Sequence, residues 1–171
     1  MEKSKHIIRV ALCVAMLIGG QMALSAIPGI EVVTILFLSF SVTYGVKDAL
    51  AAGTVFSVLR CLIFGFYINV ILLYLIYYNL FGLFFGLLGK RILNAKPFWR
   101  LFTVSLLVLL FTALFTLLDN ILSAVLFGFG KEAFFAYSLA SLYTVIPQML
   151  CAVATTAMFF LPLTKVMRRF A

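Results

Sequence analysis

Apolar stretches of membrane-spanning length, separated by short breaks of glycine, proline or charged residues, cover almost the whole sequence. A helix needs about 20 mainly apolar residues to cross the roughly 30 Å of hydrocarbon in a bilayer. We therefore predict an all-α, polytopic membrane protein in which residues 1–171 form one domain, a compact bundle of six transmembrane helices. The predicted spans are 7–27, 31–44, 47–66, 69–89, 98–127 and 133–164. The second is short for a full crossing, and the last two are long enough to tilt or to project beyond the lipid.

Composition also indicates a lipid environment. The chain is 65% hydrophobic and 11% charged, with a mean hydropathy of +1.23, whereas soluble domains carry about 25% charged residues. The net charge of +8 does not indicate nucleic acid binding. The basic residues lie between apolar runs rather than in a patch interleaved with accessible aromatic rings.

The basic residues predict the orientation of the helices. With the amino terminus in the cytoplasm, eleven of the thirteen Lys and Arg residues fall on the cytoplasmic side, as the positive-inside rule requires. These eleven are Lys3, Lys5, Arg9, Lys47, Lys90, Arg91, Lys96, Arg100, Lys165, Arg168 and Arg169. The exceptions are Arg60, inside the third span, and Lys131, in an outer loop. We expect both termini in the cytoplasm, with the first span retained because it is longer than the core of a signal peptide.

The residue inventory argues against an enzyme and against a resident metal or cofactor. The three cysteines lie in apolar runs without CxxC spacing, His6 is the only histidine, and there are five carboxylates. These residues cannot supply an HExxH zinc site, a Ser/His/Asp triad or a hydrolytic carboxylate pair. The sequence also lacks a GxxxxGK phosphate loop, so any energy from ATP has to come from a partner.

Small residues recur at every fourth position of the first span and form one stripe along a helix face: Ala11, Ala15, Gly19 and Ala23. Such a stripe lets a second helix backbone approach closely in lipid. Two interpretations stay open, packing within the chain and docking onto a separate membrane subunit. A second set, Gly82, Gly86 and Gly89 in the fourth span, is predicted to serve internal packing.

Ionic and hydrogen-bonding side chains at one level of the predicted bundle form a candidate binding site. Arg60 lies about 20 Å outward from Lys47, and Asp119 about 30 Å outward from Trp99. Glu31 opens the second span. Side chains expected at the same level or somewhat deeper are Asn69, Tyr67, Tyr74, Asn120, Tyr137, Gln21, Tyr77, Tyr78 and Tyr143.

Two interpretations of this outer polar cluster remain open. The tyrosines and charges can be an ordinary interfacial belt, with Arg60 extending outward to water. Alternatively, the cluster lines a pocket open to the exterior, because charges within a bilayer are costly and usually functional. In a pocket, Arg60 would hold a carboxylate or phosphate of the solute, and Asp119 or Glu31 would hold an amine or orient Arg60.

Two segments of the sequence resemble a known family. These are Ala11-x-x-x-Ala15 and residues 20–33, Gly-Gln-Met-Ala-Leu-Ser-Ala-Ile-Pro-Gly-Ile-Glu-Val-Val. Together with six predicted spans and basic cytoplasmic ends, they resemble the substrate-binding S components of energy-coupling factor (ECF) vitamin transporters. The resemblance extends over nearly the whole chain, but none of the pocket patterns of the riboflavin, thiamine or biotin members is present.

The resemblance implies a subunit of the bacterial cell membrane that captures a vitamin or related micronutrient outside. Its partners would be a transmembrane coupling protein and two ATPases, with Ala11, Ala15 and Gly19 at the docking face. The whole subunit would topple in the membrane during uptake. The family pattern places the pocket at Glu31, Asn69, Tyr74, Asp119, Asn120 and Tyr143, with Arg60 less securely positioned.

Other functions remain as alternatives. A structural membrane scaffold of the rod-shape-determining type also consists of about six spans, and it would need only helix faces and cytoplasmic loops. A membrane enzyme would lack a base or metal set, and a channel would lack a charged ring or filter.

Overall fold

The computed structural model describes residues 2–25 and 32–170, and the described residues form six helices. These are α1 (Glu2–Leu24), α2 (Val33–Tyr44), α3 (Val46–Phe64), α4 (Ile68–Asn94), α5 (Pro97–Phe127) and α6 (Lys131–Met167). The all-α prediction is confirmed for this part of the chain. Glu31 and the break between the first two predicted spans, at Pro28 and Gly29, lie outside the described residues.

Four of the six helices are long and apolar enough to cross a membrane: α1, α4, α5 and α6. The other two fall short for different reasons. Helix α2 has only 12 residues, and α3 carries Lys47, Asp48 and Arg60 within 19 residues. Length and composition therefore define a helical membrane protein with four candidate spans.

The short helix α2 lies at the centre of the bundle. Nine of its 12 residues are buried, and it packs against α1, α3, α4 and α6. Its polar residues are hydroxylic; Ser41, for example, donates from Oγ to the carbonyl of Phe37 at 2.7 Å. This bond back to the preceding turn lets a polar side chain lie in an apolar core.

The fourth helix approaches the α2–α3 turn through its glycines. A Cβ atom added at Gly82 would lie 3.2 Å from Ala49 Cβ. A Cβ at Gly86 would lie 2.8 Å from the backbone nitrogen of Val46, and one at Gly89 would also be too close to Val42. The predicted internal packing role of these glycines is confirmed, because any side chain there would push the helices apart.

One end of the bundle collects the amino terminus of α1, the α2–α3 and α4–α5 turns and the carboxyl terminus of α6. His6 Nδ1 contacts Asp48 Oδ1, and Tyr44 donates its hydroxyl proton to the carbonyl of Met167 at 3.0 Å. We call this the basic end, because it holds ten Lys and Arg residues whose side chains the structure describes. They are Lys5, Arg9, Lys47, Lys90, Arg91, Lys96, Arg100, Lys165, Arg168 and Arg169. The α3–α4 and α5–α6 turns lie at the opposite end.

Candidate functional site

Arg60 lies one turn before the last residue of α3, close to the opposite end. Its guanidinium carbon lies 4.4 Å from the ring centre of Tyr74 on α4 and 5.5 Å from that of Phe64. These are cation–π contacts. The Nε atom is buried and has no hydrogen-bond partner among the described residues. Within the described residues, the ion pairs that form involve Asp48 and not Arg60, so aromatic faces, not a described carboxylate, contact this half-buried side chain.

Tyr74 connects Arg60 to the first helix. Gln21 on α1 donates from Nε2 to the Tyr74 hydroxyl at 3.4 Å. The Gln21 Oε1 atom is buried and lacks a hydrogen-bond partner among the described residues. Three helices thus meet around one tyrosine, with a half-buried arginine and a buried amide oxygen beside it. We call Gln21, Arg60 and Tyr74 the arginine group.

Asp119 and Asn120 belong to a separate polar group between α5 and α6. Tyr137 donates its hydroxyl proton to Asp119 Oδ2 at 3.3 Å, and Asn120 donates from Nδ2 to Ser141 Oγ at 3.1 Å. The Oδ1 atom of Asn120 is buried without a hydrogen-bond partner in the part of the chain that the structure describes. The outer polar cluster is therefore two groups, and no ion pair or hydrogen bond of the described residues joins Arg60 to Asp119.

The remaining predicted site residues lie nearer the surface of the bundle. Asn69 is half-buried at the start of α4. Tyr143 is 87% exposed on α6, so its ring faces the surroundings of the bundle and not its described interior. Glu31 lies outside the described residues.

A small internal cavity adjoins the arginine group. Its volume is about 40 Å³, and its lining residues are Thr34, Tyr74, Tyr77, Tyr78, Thr112, Phe115 and Gln148. A buried water needs roughly 10–15 Å³ of such space, so the cavity has room for about three waters. The lining carries hydroxyl and amide groups but no charge, and Tyr74 is common to the cavity and the arginine group.

Sequence reasoning identified the tyrosines of this cavity but missed three of its polar residues. Thr34, Thr112 and Gln148 lie in α2, α5 and α6. The available signal was a polar residue inside a long apolar run, which is costly in lipid unless it has a partner or lines a cavity. The contact between His6 and Asp48 at the basic end was also missed, because the two residues are far apart in sequence.

The small-residue stripe of α1 faces away from the bundle. Ala11, Ala15 and Gly19 are exposed, and a Cβ atom added at Gly19 would meet nothing within 4 Å. The opposite face of α1 is buried, with Cys13 and Leu17 in the core. The stripe therefore does not pack against another part of the described chain, and that interpretation is wrong. Its row of four small residues remains uncovered.

Comparison of the chain with protein-family models, curated proteins and solved structures finds no match. The features of the described residues that bear on function are therefore the two polar groups, the internal cavity and the uncovered face of α1.

Proposed function

We propose that this protein is the membrane-embedded, substrate-binding S subunit of an ECF-type importer. It would capture a vitamin or related micronutrient at the outer face and dock on a transmembrane coupling protein that works with two ATPases. The single observation that carries the proposal is Arg60. A half-buried arginine whose Nε is buried without a hydrogen-bond partner among the described residues, and which lies on a tyrosine face at 4.4 Å, is a costly arrangement in a membrane unless an anionic ligand uses it.

In this proposal the arginine group is the anchor of the solute. Arg60 binds a carboxylate or phosphate through its planar fork of donors. Tyr74 offers a ring face, and the unpaired Gln21 Oε1 accepts a hydrogen bond from the solute. Glu31 and Asn69 would complete the outer side, while Asp119, Asn120 and Tyr143 would contribute from the α5–α6 side.

The size of the internal cavity constrains how a solute enters. Pockets for drug-sized ligands occupy about 300–1,000 Å³, far more than the cavity of about 40 Å³. We therefore propose that the solute lies mainly above Tyr74, towards the exterior. A rotation of the Tyr74 ring would join that space to the cavity and bring Thr34 and Gln148 into reach.

Coupling to the ATPases would use the uncovered face of α1. Ala11, Ala15 and Gly19 are exposed, and small side chains allow the close backbone approach that holds helices together in lipid. The arrangement proposed for the whole chain is six spans in the bacterial cell membrane, with α2 and α3 completing the bundle and both termini in the cytoplasm. The charge asymmetry of the basic end supports that orientation.

A structural scaffold of the rod-shape-determining type is the second candidate. The small volume of the internal cavity favours it, because a scaffold needs no room for a guest. An uncovered helix face suits a scaffold as well as an importer subunit. The two functions differ in whether a small molecule binds at the arginine group.

Binding by charge variants tests the proposal. The purified protein is incubated with a defined pool of water-soluble vitamins and examined by native mass spectrometry. We expect one vitamin mass on the wild-type protein, and its loss in Arg60→Gln. Lys131→Gln is the matched control, because it removes a basic charge from an exposed position at the same end of the bundle.

Stability measurements separate binding from folding in the same experiment. Arg60→Lys keeps the charge but not the bidentate fork, so binding should weaken while the melting temperature stays close to that of the wild type. Absence of every vitamin from the folded wild-type protein, or undiminished binding by a folded Arg60→Gln protein, would contradict the proposal.

A further inference from the structure

A long groove runs between α1 and α6 at the basic end, and the proposed solute site does not use it. Its volume is about 420 Å³. Helix α1 packs on α2 and α3, whereas α6 packs on α2 and α5, so α1 and α6 leave a gap over one side of α2. Phe40 and Tyr44 of α2 form the floor of this α1–α6 groove.

The walls of the groove are almost entirely apolar. Ile8, Leu12 and Met16 line it from α1, and Leu163 and Val166 from α6, with Phe170 just beyond that helix. From Lys5 to Met16 the groove follows α1 for about 16 Å. One leaflet supplies about half of the 30 Å hydrocarbon layer, so the length of the groove matches a single leaflet.

The positive charge lies at one end of the groove. Lys5 and Arg9 both line it. The polar contacts of the Arg9 guanidinium are long, because Nη1 lies 3.8 Å from Asp48 Oδ2 and Nη2 lies 3.4 Å from the carbonyl of Phe170. The guanidinium carbon also lies 4.8 Å from the ring centre of Tyr44. Asp48 also contacts His6. It is the only acidic residue at the basic end among the side chains that the structure describes, so the mouth of the groove carries a net positive charge.

The charge beside the apolar walls selects among the possible occupants of the groove. An acyl chain matches the apolar walls, and the phosphate of the same lipid would lie beside Lys5 and Arg9. An apolar partner helix would match the walls alone, whereas an anionic phospholipid matches both the walls and the charge.

We propose that the α1–α6 groove binds one anionic phospholipid from the leaflet at the basic end. One acyl chain lies along the apolar walls, and the phosphate receives charge-assisted hydrogen bonds from Arg9 and Lys5. Basic pockets between transmembrane helices on the cytoplasmic side are suited to anionic head groups. Capture of a solute at the opposite end is not needed for this binding, so either proposal can fail alone.

Lipid retention tests the inference. The full chain is reconstituted into vesicles of phosphatidylglycerol and phosphatidylcholine in equal amounts, extracted in mild detergent and examined by native mass spectrometry. We expect one phosphatidylglycerol per chain, in preference to phosphatidylcholine. Arg9→Gln should weaken retention about tenfold, the size of effect expected from losing hydrogen bonds to a charged group. Arg91→Gln, which removes an exposed charge from the last turn of α4, should retain the lipid.

A second pair of variants tests the apolar wall. Val166 is 52% exposed and lines the groove, so Val166→Trp should fill it and remove the lipid. Val125 is 74% exposed near the end of α5, so Val125→Trp adds the same bulk elsewhere and should change nothing. If Arg9→Gln fails to fold, Lys5→Gln at an exposed position replaces it and should also weaken retention.

Three results would overturn the inference. They are equal retention of phosphatidylcholine and phosphatidylglycerol, undiminished lipid on Val166→Trp, and a wild-type dimer without lipid, which would mean that a second copy closes the groove.

Discussion

Gly86 of α4 and Gly19 of α1 offer a matched test of which helix face is buried. Both lie in helices with small residues four positions apart. A methyl group at Gly86 of α4 would lie 2.8 Å from the backbone nitrogen and Cα of Val46. The same methyl group at Gly19 of α1 would meet nothing within 4 Å. Gly86→Ala must therefore force α4 away from the start of α3, whereas Gly19→Ala changes only the helix propensity.

The expected magnitudes follow from these two environments. Overpacking costs about 1–3 kcal/mol, and Ala is favoured over Gly within a helix by about 1 kcal/mol. Because the obstructing atoms at Gly86 are backbone, they cannot rotate away, and we expect a net loss of about 1–2 kcal/mol. A chain of this size loses about 2–4 °C in melting temperature per kcal/mol. Gly86→Ala should therefore melt about 2–8 °C lower, and Gly19→Ala at the same temperature or up to about 4 °C higher.

Thermal unfolding in detergent with a thiol-reactive fluorophore measures both effects. Cys13 and Cys61 are each only 1% exposed, so they react once the bundle opens. A fall in melting temperature for Gly19→Ala as large as that for Gly86→Ala would refute the reasoning, because the stripe of α1 would then be packed. A higher melting temperature for Gly86→Ala would show that α4 does not lie close to the α2–α3 turn.

Three further predictions concern other parts of the chain. Asp48→Asn should lower the free energy of unfolding by about 1–3 kcal/mol, because it weakens charge-assisted contacts to α1. Thermal melting measures this loss against the exposed control Glu132→Gln. Equal melting temperatures of the two variants would contradict the prediction. Ala15→Leu should leave the melting temperature of the isolated chain unchanged but abolish recovery of ATPase subunits with it, and unimpaired recovery would argue against docking through α1. Gln21→Met should cost at most about 1 kcal/mol, since the hydrogen bond that Gln21 donates to Tyr74 is long at 3.4 Å. A melting curve shows this directly, and a loss several times larger would mean that the amide has a stronger role.

The positions of the helices were largely predictable from apolar runs, and their ends were not. Helix α4 continues to Asn94 through Lys90 and Arg91, where a polar run predicted a break. Lys and Arg are good helix formers, so a polar stretch leaves the membrane without ending the helix. Helix α6 continues past Pro147 and Pro162 to Met167, as tolerated where neighbouring helices support the backbone.

The outer polar side chains were predicted as one cluster, whereas the described residues form two separate groups. Counting 1.5 Å per residue gives the depth of a side chain and not the direction in which it points. Arg60 faces Tyr74, whereas Asp119 faces Tyr137, and Tyr143 faces outward. Direction depends on how the helices rotate against each other, which apolar patterns in nearly uniform spans do not specify.

The two small-residue stripes illustrate the same limit. Spacing identifies Ala11, Ala15 and Gly19 as one face and Gly82 and Gly86 as another, but both sets are compatible with burial or exposure. The structure distinguishes them, because α4 meets the α2–α3 turn and α1 presents its stripe outward.

Recovery of the tagged, full-length protein from its own membranes in mild detergent tests most directly whether it is the binding subunit of an ATP-driven importer. We expect a transmembrane coupling protein and two ATPase subunits to be recovered with the wild-type chain, and to be missing when Ala11 and Ala15 are both replaced by Leu. Recovery of cell-wall synthesis proteins in their place, without any ATPase, would contradict the importer function and favour the scaffold.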